Sequence, residues 1–327
     1  MGDGTILVLG ATGGFGGAVT RELLGRGRAV RALVRDPARA KRLFPPTSGV
    51  DLVHGDALDA DSLTRAAAGC GTIFHGVNYR YDQWSPFMPR ATANVIAAAS
   101  AAHATVLFPG NIFGLGAPGV APFDETVVPS PNSRKGVLRV QLEEALRRGA
   151  ETGACRILVL RGGAYFGPTV RNDIVNMIFA RAAAGNPMTM IGNLDLPHQW
   201  AYTPDLARCA VDLLDLSDRL AAYEVVHFAG HVVPSQREFL AMIAACAGYP
   251  NLAIRGVRWQ LLQDLSVRQA GLKELVELRH IYEDSLILDD PRRRELLPGF
   301  IETSLENAVT ETLASYRAES QTSPSPA

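Results

Sequence analysis

Short apolar runs alternate with segments of helical period along the first half of the chain. The runs are rich in Val, Ile and Leu, and polar residues or glycines separate each run from the helical segment that follows. This alternation predicts right-handed βαβ units and therefore an α/β fold with a doubly wound parallel sheet. The predicted strands are 6–10, 29–34, 50–56, 72–77, 105–109 and 155–163.

The alternation loosens after about residue 164. The pattern there predicts helices at 171–184, 204–216, 235–248 and 303–317, short strands near 188–191 and 223–228, and further helix within 258–282. We therefore divide the chain into a core of residues 1–163 and a smaller α/β region of residues 164–318 that binds the substrate and is interleaved with the core. The polar, proline-containing segment 319–327 is predicted to be a disordered tail.

Composition excludes several classes of function. The 327 residues carry a net charge of −1, which gives no electrostatic reason to expect nucleic acid or a membrane surface as a partner. No apolar run has the length of a membrane span, and the N-terminus does not resemble a signal peptide, so we expect a cytoplasmic protein. The four cysteines are widely spaced and are expected to be reduced, buried thiols.

The segment GATGGFGG places Gly10, Gly13 and Gly16 three residues apart between a predicted strand and a predicted helix. Gly10 permits a tight turn, Gly13 lets the backbone approach a ligand, and Gly16 lets the helix pack on the strand. Free N–H groups at the start of the helix bind an anion. The motif therefore predicts that a dinucleotide diphosphate binds here, although a glycine-rich turn without a ligand is the alternative.

The end of the second predicted strand bears on the choice of cofactor. A carboxylate there would hold a ribose 2′-hydroxyl and favour NAD(H), whereas this strand is followed by Arg35, which can pair with a 2′-phosphate. Arg31 is also available. We therefore predict NADP(H) and consider NAD(H) less favoured; Asp36 either caps the next helix or contacts a ribose. Asp56, after the third strand, can accept a hydrogen bond from the adenine amino group.

These motifs, together with VRALVRDP, HGDALDADSL, IFHGVN and the C-terminal LLPGFIETSLENAV, resemble the short-chain dehydrogenase/reductase superfamily in its extended and atypical, NAD-dependent-epimerase-like branches. The resemblance covers essentially residues 5–320 and implies a Rossmann-type fold, a small-molecule substrate and a possible homodimer. Besides the residues named above, the cofactor is expected to contact Thr12, Gly14, Phe15, Ala57, Gly76, Val77, Asn78, Pro109, Lys135, Gly163 and Tyr165.

The resemblance also implies a catalytic Ser or Thr after the fifth strand and a Tyr-xxx-Lys motif on a later helix. The corresponding stretch FPGNIFG places Pro109 or Gly110 at the Ser position, with Asn111 as its one polar side chain; the alternative for Asn111 is a loop residue that caps its own backbone. In SRKGVLRVQLEE, taking Glu143 as the Glu that commonly follows the motif puts Lys135 at the Tyr position and Arg139 at the Lys position.

This register predicts a role for each cation. Arg139 would donate to ribose hydroxyls. Lys135 would donate a proton near neutral pH, because a neighbouring cation and the helix N-terminus lower its pKa. A water bound in the pocket is the alternative proton donor. The alternative is a solvated helix start in which Arg139 pairs with Glu143 four residues later.

Aromatic and histidine residues in the later loops are candidates for the substrate site. Tyr81 and Trp84 follow the fourth strand, and packed loop aromatics are the equal alternative. His227 and His231 lie on a predicted strand and turn, where their spacing does not place two ligands on one ion, so no metal site is predicted. The candidate substrate-binding residues are Tyr81, Trp84, Asn111, Tyr165, His198 and Trp200.

The sequence thus predicts an NADPH-dependent oxidoreductase that reduces a ketone, enone or imine of a small, largely apolar metabolite through a non-standard active site. Two alternatives remain open at this point. One is a non-redox isomerase, epimerase, cyclase or lyase that keeps a bound dinucleotide, and the other is a non-enzymatic protein that senses NADP(H). The fold hosts many chemistries, so it does not decide among the three.

Overall fold

A computed structural model describes residues 4–116 and 122–322 of the chain. The predicted apolar runs form the strands of a seven-stranded sheet, and further strands follow in the later region. In chain order the strands are β1 (Thr5–Leu9), β2 (Val30–Val34), β3 (Val50–His54), β4 (Cys70–His75), β5 (Thr105–Gly110), β6 (Ile157–Gly162), β7 (Ala164–Phe166), β8 (Met188–Ile191), β9 (His198–Tyr202), β10 (Tyr223–Phe228), β11 (His231–Val233) and β12 (Ile254–Val257).

The main sheet has the order β10-β6-β5-β4-β1-β2-β3, and every neighbouring pair in it is parallel. The strand order reverses between β1 and β4, which creates the crevice at the carboxyl ends of the strands where ligands bind in such sheets. The fold is therefore the doubly wound, Rossmann-type fold that the sequence predicts.

Helices cover both faces of the main sheet and build most of the later region. They are α1 (Gly14–Gly25), α2 (Pro37–Leu43), α3 (Ala60–Ala67), α4 (Trp84–Ala102), α5 (Arg134–Glu151), α6 (Asp173–Val175), α7 (Arg181–Ala183), α8 (Thr203–Asp215), α9 (Gln236–Cys246), α10 (Trp259–Ser266), α11 (Ala270–Val276), α12 (Arg279–Glu283), α13 (Pro291–Leu296) and α14 (Leu305–Thr322). A π-helical turn, Asn176–Ala180, joins α6 to α7.

Two apolar clusters fix the helices on the sheet. One contains Phe15, Val19 and Leu23 of α1 with residues of α8, and the other contains residues of α3, α4 and α5. Polar caps start several of these helices: Asp59 accepts hydrogen bonds from two backbone N–H groups of α3, and Ser133 accepts one from Gly136 of α5. Such caps satisfy N–H groups that have no partner inside the helix.

The later region contains two smaller sheets, β11-β9-β7 and β12-β8, around a core of its own. Four of these strands, β7, β9, β11 and β12, are not among the predicted elements. Helix α14 extends to Thr322, so residues 319–322, predicted as part of the tail, are helical, and residues 323–327 lie outside the described residues. Within the described ranges, every helix is too short or too polar to cross a membrane.

Candidate functional site

The glycine-rich segment between β1 and α1 is a tight turn that tolerates no side chain at two positions. Gly10 has φ +79°, and a Cβ atom on it would lie 2.3 Å from the Gly76 carbonyl oxygen. A Cβ atom on Gly16 would lie 2.3 Å from the Gly10 carbonyl oxygen. Close packing of the helix on the strand and the left-handed turn therefore both require glycine.

The start of α1 fits the diphosphate of a dinucleotide. The first N–H group of the helix with an intrahelical acceptor is that of Gly17, which donates to the Gly13 carbonyl at 2.8 Å, so the N–H groups of residues 14–16 have none. Of the described atoms, only the Gly10 carbonyl oxygen, at 3.2 Å, would lie close to a Cβ atom on Gly13. N–H groups without an intrahelical acceptor at a helix N-terminus can bind an anion.

Arg35 is exposed directly after β2, with its guanidinium carbon 5.7 Å from the ring centroid of Tyr79. Asp36 accepts a hydrogen bond from the Arg39 N–H at 3.0 Å and so caps α2. Arg31 is not available for a phosphate, because its side chain pairs with Asp51 at 2.7 Å. The position after β2 therefore carries an exposed cation, while the adjacent carboxylate is engaged by the backbone.

The sequence predictions do not include Tyr79, which lies near Arg35 and Asp56. The Tyr79 hydroxyl is buried with no hydrogen-bond partner among the described residues, and burial together with the nearby Asp56 carboxylate raises the pKa of Tyr79 to about 12. Arg35 and Arg90 act on the phenol in the opposite direction. Asp56 and Arg90 line a cavity of about 410 Å³ beside this group. The sequence gives no sign of this residue, because Tyr79 comes close to Arg35 and Arg90 only in the folded chain.

The other predicted cofactor residues lie along the same carboxyl edge of the sheet. Some are already engaged: the Ala57 carbonyl accepts from Asn94 at 2.9 Å, and the Asn78 amide oxygen accepts from the Trp84 indole at 2.9 Å. Thr12, Gly14 and Phe15 belong to the turn and the first residues of α1, and Gly76 and Val77 follow β4. Pro109 is the last residue but one of β5, Gly163 follows β6, and Tyr165 lies in β7.

Helix α5 begins at Arg134, directly after the Ser133 cap, and the buried side chain of Lys135 lies on its first turn. The ammonium group donates to the carboxylates of Glu274 on α11 and Glu277 after it. The nitrogen also lies 5.0 Å from the centroid of the Tyr81 ring. The expectation that a neighbouring cation poises Lys135 as a proton donor needs correction, because its ammonium group is paired with two carboxylates.

Arg139 lies one turn further along α5 and is buried. Its guanidinium donates to the Pro109 carbonyl at the end of β5 and stacks 4.5 Å from the centroid of the Phe108 ring. It does not pair with Glu143, because Glu143 pairs with Arg161 of β6 at 2.6 Å. The alternative of an Arg139–Glu143 pair on a solvated face is therefore wrong, and Arg139 faces the carboxyl edge of the sheet.

Two further side chains meet at the end of β5. The Asn111 amide oxygen accepts from the Phe113 N–H at 3.1 Å, which is the self-capping turn that was the alternative for this residue. The Tyr165 hydroxyl donates to the Gly110 carbonyl at 2.9 Å, and the Tyr165 ring lies 5.8 Å from that of Phe15 in the glycine turn. The structure thus brings Arg139 and Tyr165 together at the crevice, with Lys135 held away by carboxylates.

The predicted substrate aromatics are mostly packing residues. Trp84 and Trp200 are only 4% and 1% exposed, and their indole N–H groups are satisfied within the protein. His198 packs against Trp200, and burial lowers the pKa of His198 to about 4. Tyr81 is half-buried against Phe113 in the loop that follows β5. Tyr81 is therefore the predicted aromatic that borders the start of α5 without lying fully in the core.

The structure groups His231 with two carboxylates, a set that the sequence analysis did not consider. One ligand atom each from Asp205, His231 and Glu302 lies within 4.8 Å of the others. Asp205, however, already accepts from the Thr303 N–H, the Thr303 hydroxyl and Arg208. These bonds fix the start of α8 against the segment before α14, which is a structural use of the carboxylate.

Comparison with known proteins supports a nucleotide-binding function. Residues 10–130 match the NAD(P)H-binding family model. Over 102 residues, 29% of this chain and 30% of the relative, the sequence is 37% identical to cinnamoyl-CoA reductase 1 of Oryza sativa subsp. japonica. Over 78 residues, 22% of each chain, it is 36% identical to dihydroflavonol 4-reductase of Zea mays. The matches thus span less than a third of either relative.

Solved structures match nearly the whole fold. The chain superposes with a TM-score of 0.75 on MoeE5 in complex with UDP-glucose and NAD, at 22% identity, over 97% of this chain and 99% of that one. It superposes with a TM-score of 0.75 on UDP-N-acetylglucosamine 4-epimerase from Bacillus cereus, at 16% identity, over 99% and 98% of the two chains. These similarities establish the fold and leave the reaction to the site.

Proposed function

Because the chain carries an NAD(P)H-binding domain and has the fold of the NAD-dependent epimerases and dehydratases of the extended short-chain dehydrogenase/reductase family, we propose that it is an NADPH-dependent oxidoreductase. Its substrate in this proposal is a ketone, enone or imine on a small, largely apolar molecule. The observation that carries the proposal is the combination of a glycine-built turn at the start of α1 with an exposed Arg35, where an NAD(H)-specific site would present a carboxylate.

The binding roles follow from this arrangement. The N–H groups at the start of α1 hold the diphosphate, Arg35 pairs with the 2′-phosphate, and Asp56 accepts from the adenine amino group. Arg139 supplies positive charge near the nicotinamide ribose while it fixes the end of β5. When bound, the reduced nicotinamide supplies hydride to the electrophilic carbon of the substrate.

Reduction is favoured over the non-redox alternative by the names of the two curated relatives. Both are reductases by name, and they are 37% and 36% identical to this chain over the matched residues. The epimerases among the solved structures are less than 25% identical and bear on the fold alone. We take the substrate to be largely apolar because the half-buried rings of Tyr81 and Phe113 contact each other beside the start of α5.

The test of the cofactor assignment is Arg35→Ala with Arg39→Ala as its matched control. Both arginines are exposed, and Arg39 lies on the first turn of α2, four residues after Arg35. A hydrogen bond to a charged group contributes about 1.5–3 kcal/mol, so we expect Arg35→Ala to weaken NADPH binding roughly 10- to 100-fold. NADH binding should change less than about threefold, and Arg39→Ala should leave both unchanged. Equal losses for NADPH and NADH in Arg35→Ala would overturn the NADPH preference.

A further inference from the structure

Reduction of a carbonyl or imine requires a proton as well as a hydride, and few described side chains at the crevice can supply one. Lys135 is held by Glu274 and Glu277, and Asn111 is no acid and is engaged by the backbone. A guanidinium such as that of Arg139 does not release a proton in proteins. Tyr165 remains, and its phenol is an acid of the right type.

The position of Tyr165 suits this role. The residue lies in β7, half-buried, with its ring beside Phe15 of the glycine turn and its hydroxyl on the Gly110 carbonyl. The hydroxyl therefore lies between the glycine turn and the end of β5, on the crevice side of the sheet. Gly110 has no side chain and so cannot donate a proton. The Tyr165 hydroxyl brings an acidic hydrogen to this end of β5.

Arg139 provides the matching charge. Its guanidinium donates to the Pro109 carbonyl, and the Tyr165 hydroxyl donates to the next carbonyl along the chain, that of Gly110. Burial raises the pKa of Tyr165 to about 12, which keeps the phenol protonated at neutral pH. The positive charges of Arg139 and Arg161 oppose that rise, so they stabilise a phenolate once the proton has left.

We propose that Tyr165 is the proton donor of the proposed reduction and that Arg139 stabilises its phenolate. As the carbonyl carbon accepts hydride and becomes an alcohol carbon, the Tyr165 O–H bond would break and a new O–H bond would form on the substrate oxygen. For an imine, the proton goes to nitrogen. The phenolate then takes a proton from water before the next turnover. This assignment rests on the proposed function, because a non-redox or binding protein needs no such donor.

The test compares Tyr165→Phe with Tyr202→Phe. Each substitution removes one buried or half-buried hydroxyl, and Tyr202 bonds to Glu311 in the later region, away from the crevice. With cyclohexanone and acetophenone as probe ketones and NADPH as reductant, we expect Tyr165→Phe to lower kcat about 100- to 10,000-fold. Its dissociation constant for NADPH should stay within about threefold of wild type, and Tyr202→Phe should leave both quantities unchanged.

A second readout does not depend on turnover. With 3-fluorotyrosine placed at residue 165, addition of NADP⁺ and cyclohexanol should shift the fluorine resonance, because the hydroxyl leaves the Gly110 carbonyl for the ligand. The same label at residue 202 should not shift. If Tyr165→Phe keeps kcat within threefold of wild type, or the label at 165 does not respond, the inference is wrong while the reductase assignment stands. If wild type neither binds nor oxidises NADPH, the proposed function fails, and this inference fails with it.

Discussion

The buried ammonium of Lys135 gives the sharpest prediction about stability. Its side chain is 3% exposed and shares two carboxylates with Arg134, whose side chain is 74% exposed. Substituting each cation with Met removes its charge but keeps much of its aliphatic stem. Lys135→Met and Arg134→Met therefore compare the loss of a buried cation with the loss of an exposed one. Both cations pair with the same two carboxylates, Glu274 and Glu277.

The expected magnitudes differ because of burial. Removing one partner of a buried ion pair costs about 3–5 kcal/mol, since it leaves an uncompensated charge. Glu274 and Glu277 are 19% and 14% exposed and remain partly hydrated, so we expect Lys135→Met to cost about 3 kcal/mol. Arg134 is an exposed partner, and such pairs contribute about 0–1 kcal/mol. The free energy of unfolding at pH 7, from urea titration followed by circular dichroism, measures both changes.

The same pair predicts a pH dependence. Burial tends to raise the pKa of Glu277, but hydrogen bonds from Lys135 and Arg134 outweigh it and lower the pKa below its usual value of 4.5. A carboxyl whose pKa is lower in the folded state stabilises the protein above its unfolded pKa. That stabilisation is lost as the pH falls through the folded value. The difference between wild type and Lys135→Met should therefore shrink below about pH 4.5.

Three results would refute this reasoning. One is a loss of less than about 1 kcal/mol in Lys135→Met. Another is an equal loss in Lys135→Met and Arg134→Met, because burial would then not govern the strength of the pair. The third is a difference between wild type and Lys135→Met that stays constant from pH 7 to pH 3, since the carboxylates would then not be the partners that matter.

The remaining predictions concern the glycine turn and a helix cap. Gly16→Ala places a Cβ atom 2.3 Å from the Gly10 carbonyl oxygen, so it should destabilise the fold by about 1–3 kcal/mol. It should also abolish measurable NADPH binding, and unchanged binding in a fluorescence titration would contradict the assigned site. Asp59→Ala removes the side chain that caps α3 and should cost about 1 kcal/mol in urea unfolding, whereas Asp61→Ala, one residue into that helix, should cost less.

Much of the nucleotide half could be predicted from the sequence because its signals are local. Each strand of the main sheet up to β6 is a short apolar run, and the turn at Gly10 follows from glycines at fixed spacing. The start of α5 is likewise local, since Ser133 caps the helix that carries Lys135 and Arg139. Local patterns of this kind determine where strands and helices form and where a helix begins.

The rest depends on partners that are distant along the chain. Lys135 bonds to Glu274 and Glu277, which lie 139 and 142 residues away, and no periodicity links them. The Tyr165 hydroxyl meets a carbonyl 55 residues away. Strand β9 pairs with β7 and β11, and its five residues are all buried, so Trp200 belongs to a core where the sequence suggested a substrate pocket. Such contacts arise only when the whole fold forms.

The central claim, net hydride transfer from NADPH to a substrate, is tested most directly by isotope transfer. The protein is incubated with NADPH carrying deuterium at nicotinamide C4, in separate experiments for the two faces of the ring, together with cyclohexanone or acetophenone. We predict that one of the two labels appears in the alcohol, with one NADP⁺ formed for each alcohol. Wild-type protein that converts a substrate with no deuterium in the product and no NADPH consumed would contradict the claim and indicate a non-redox reaction.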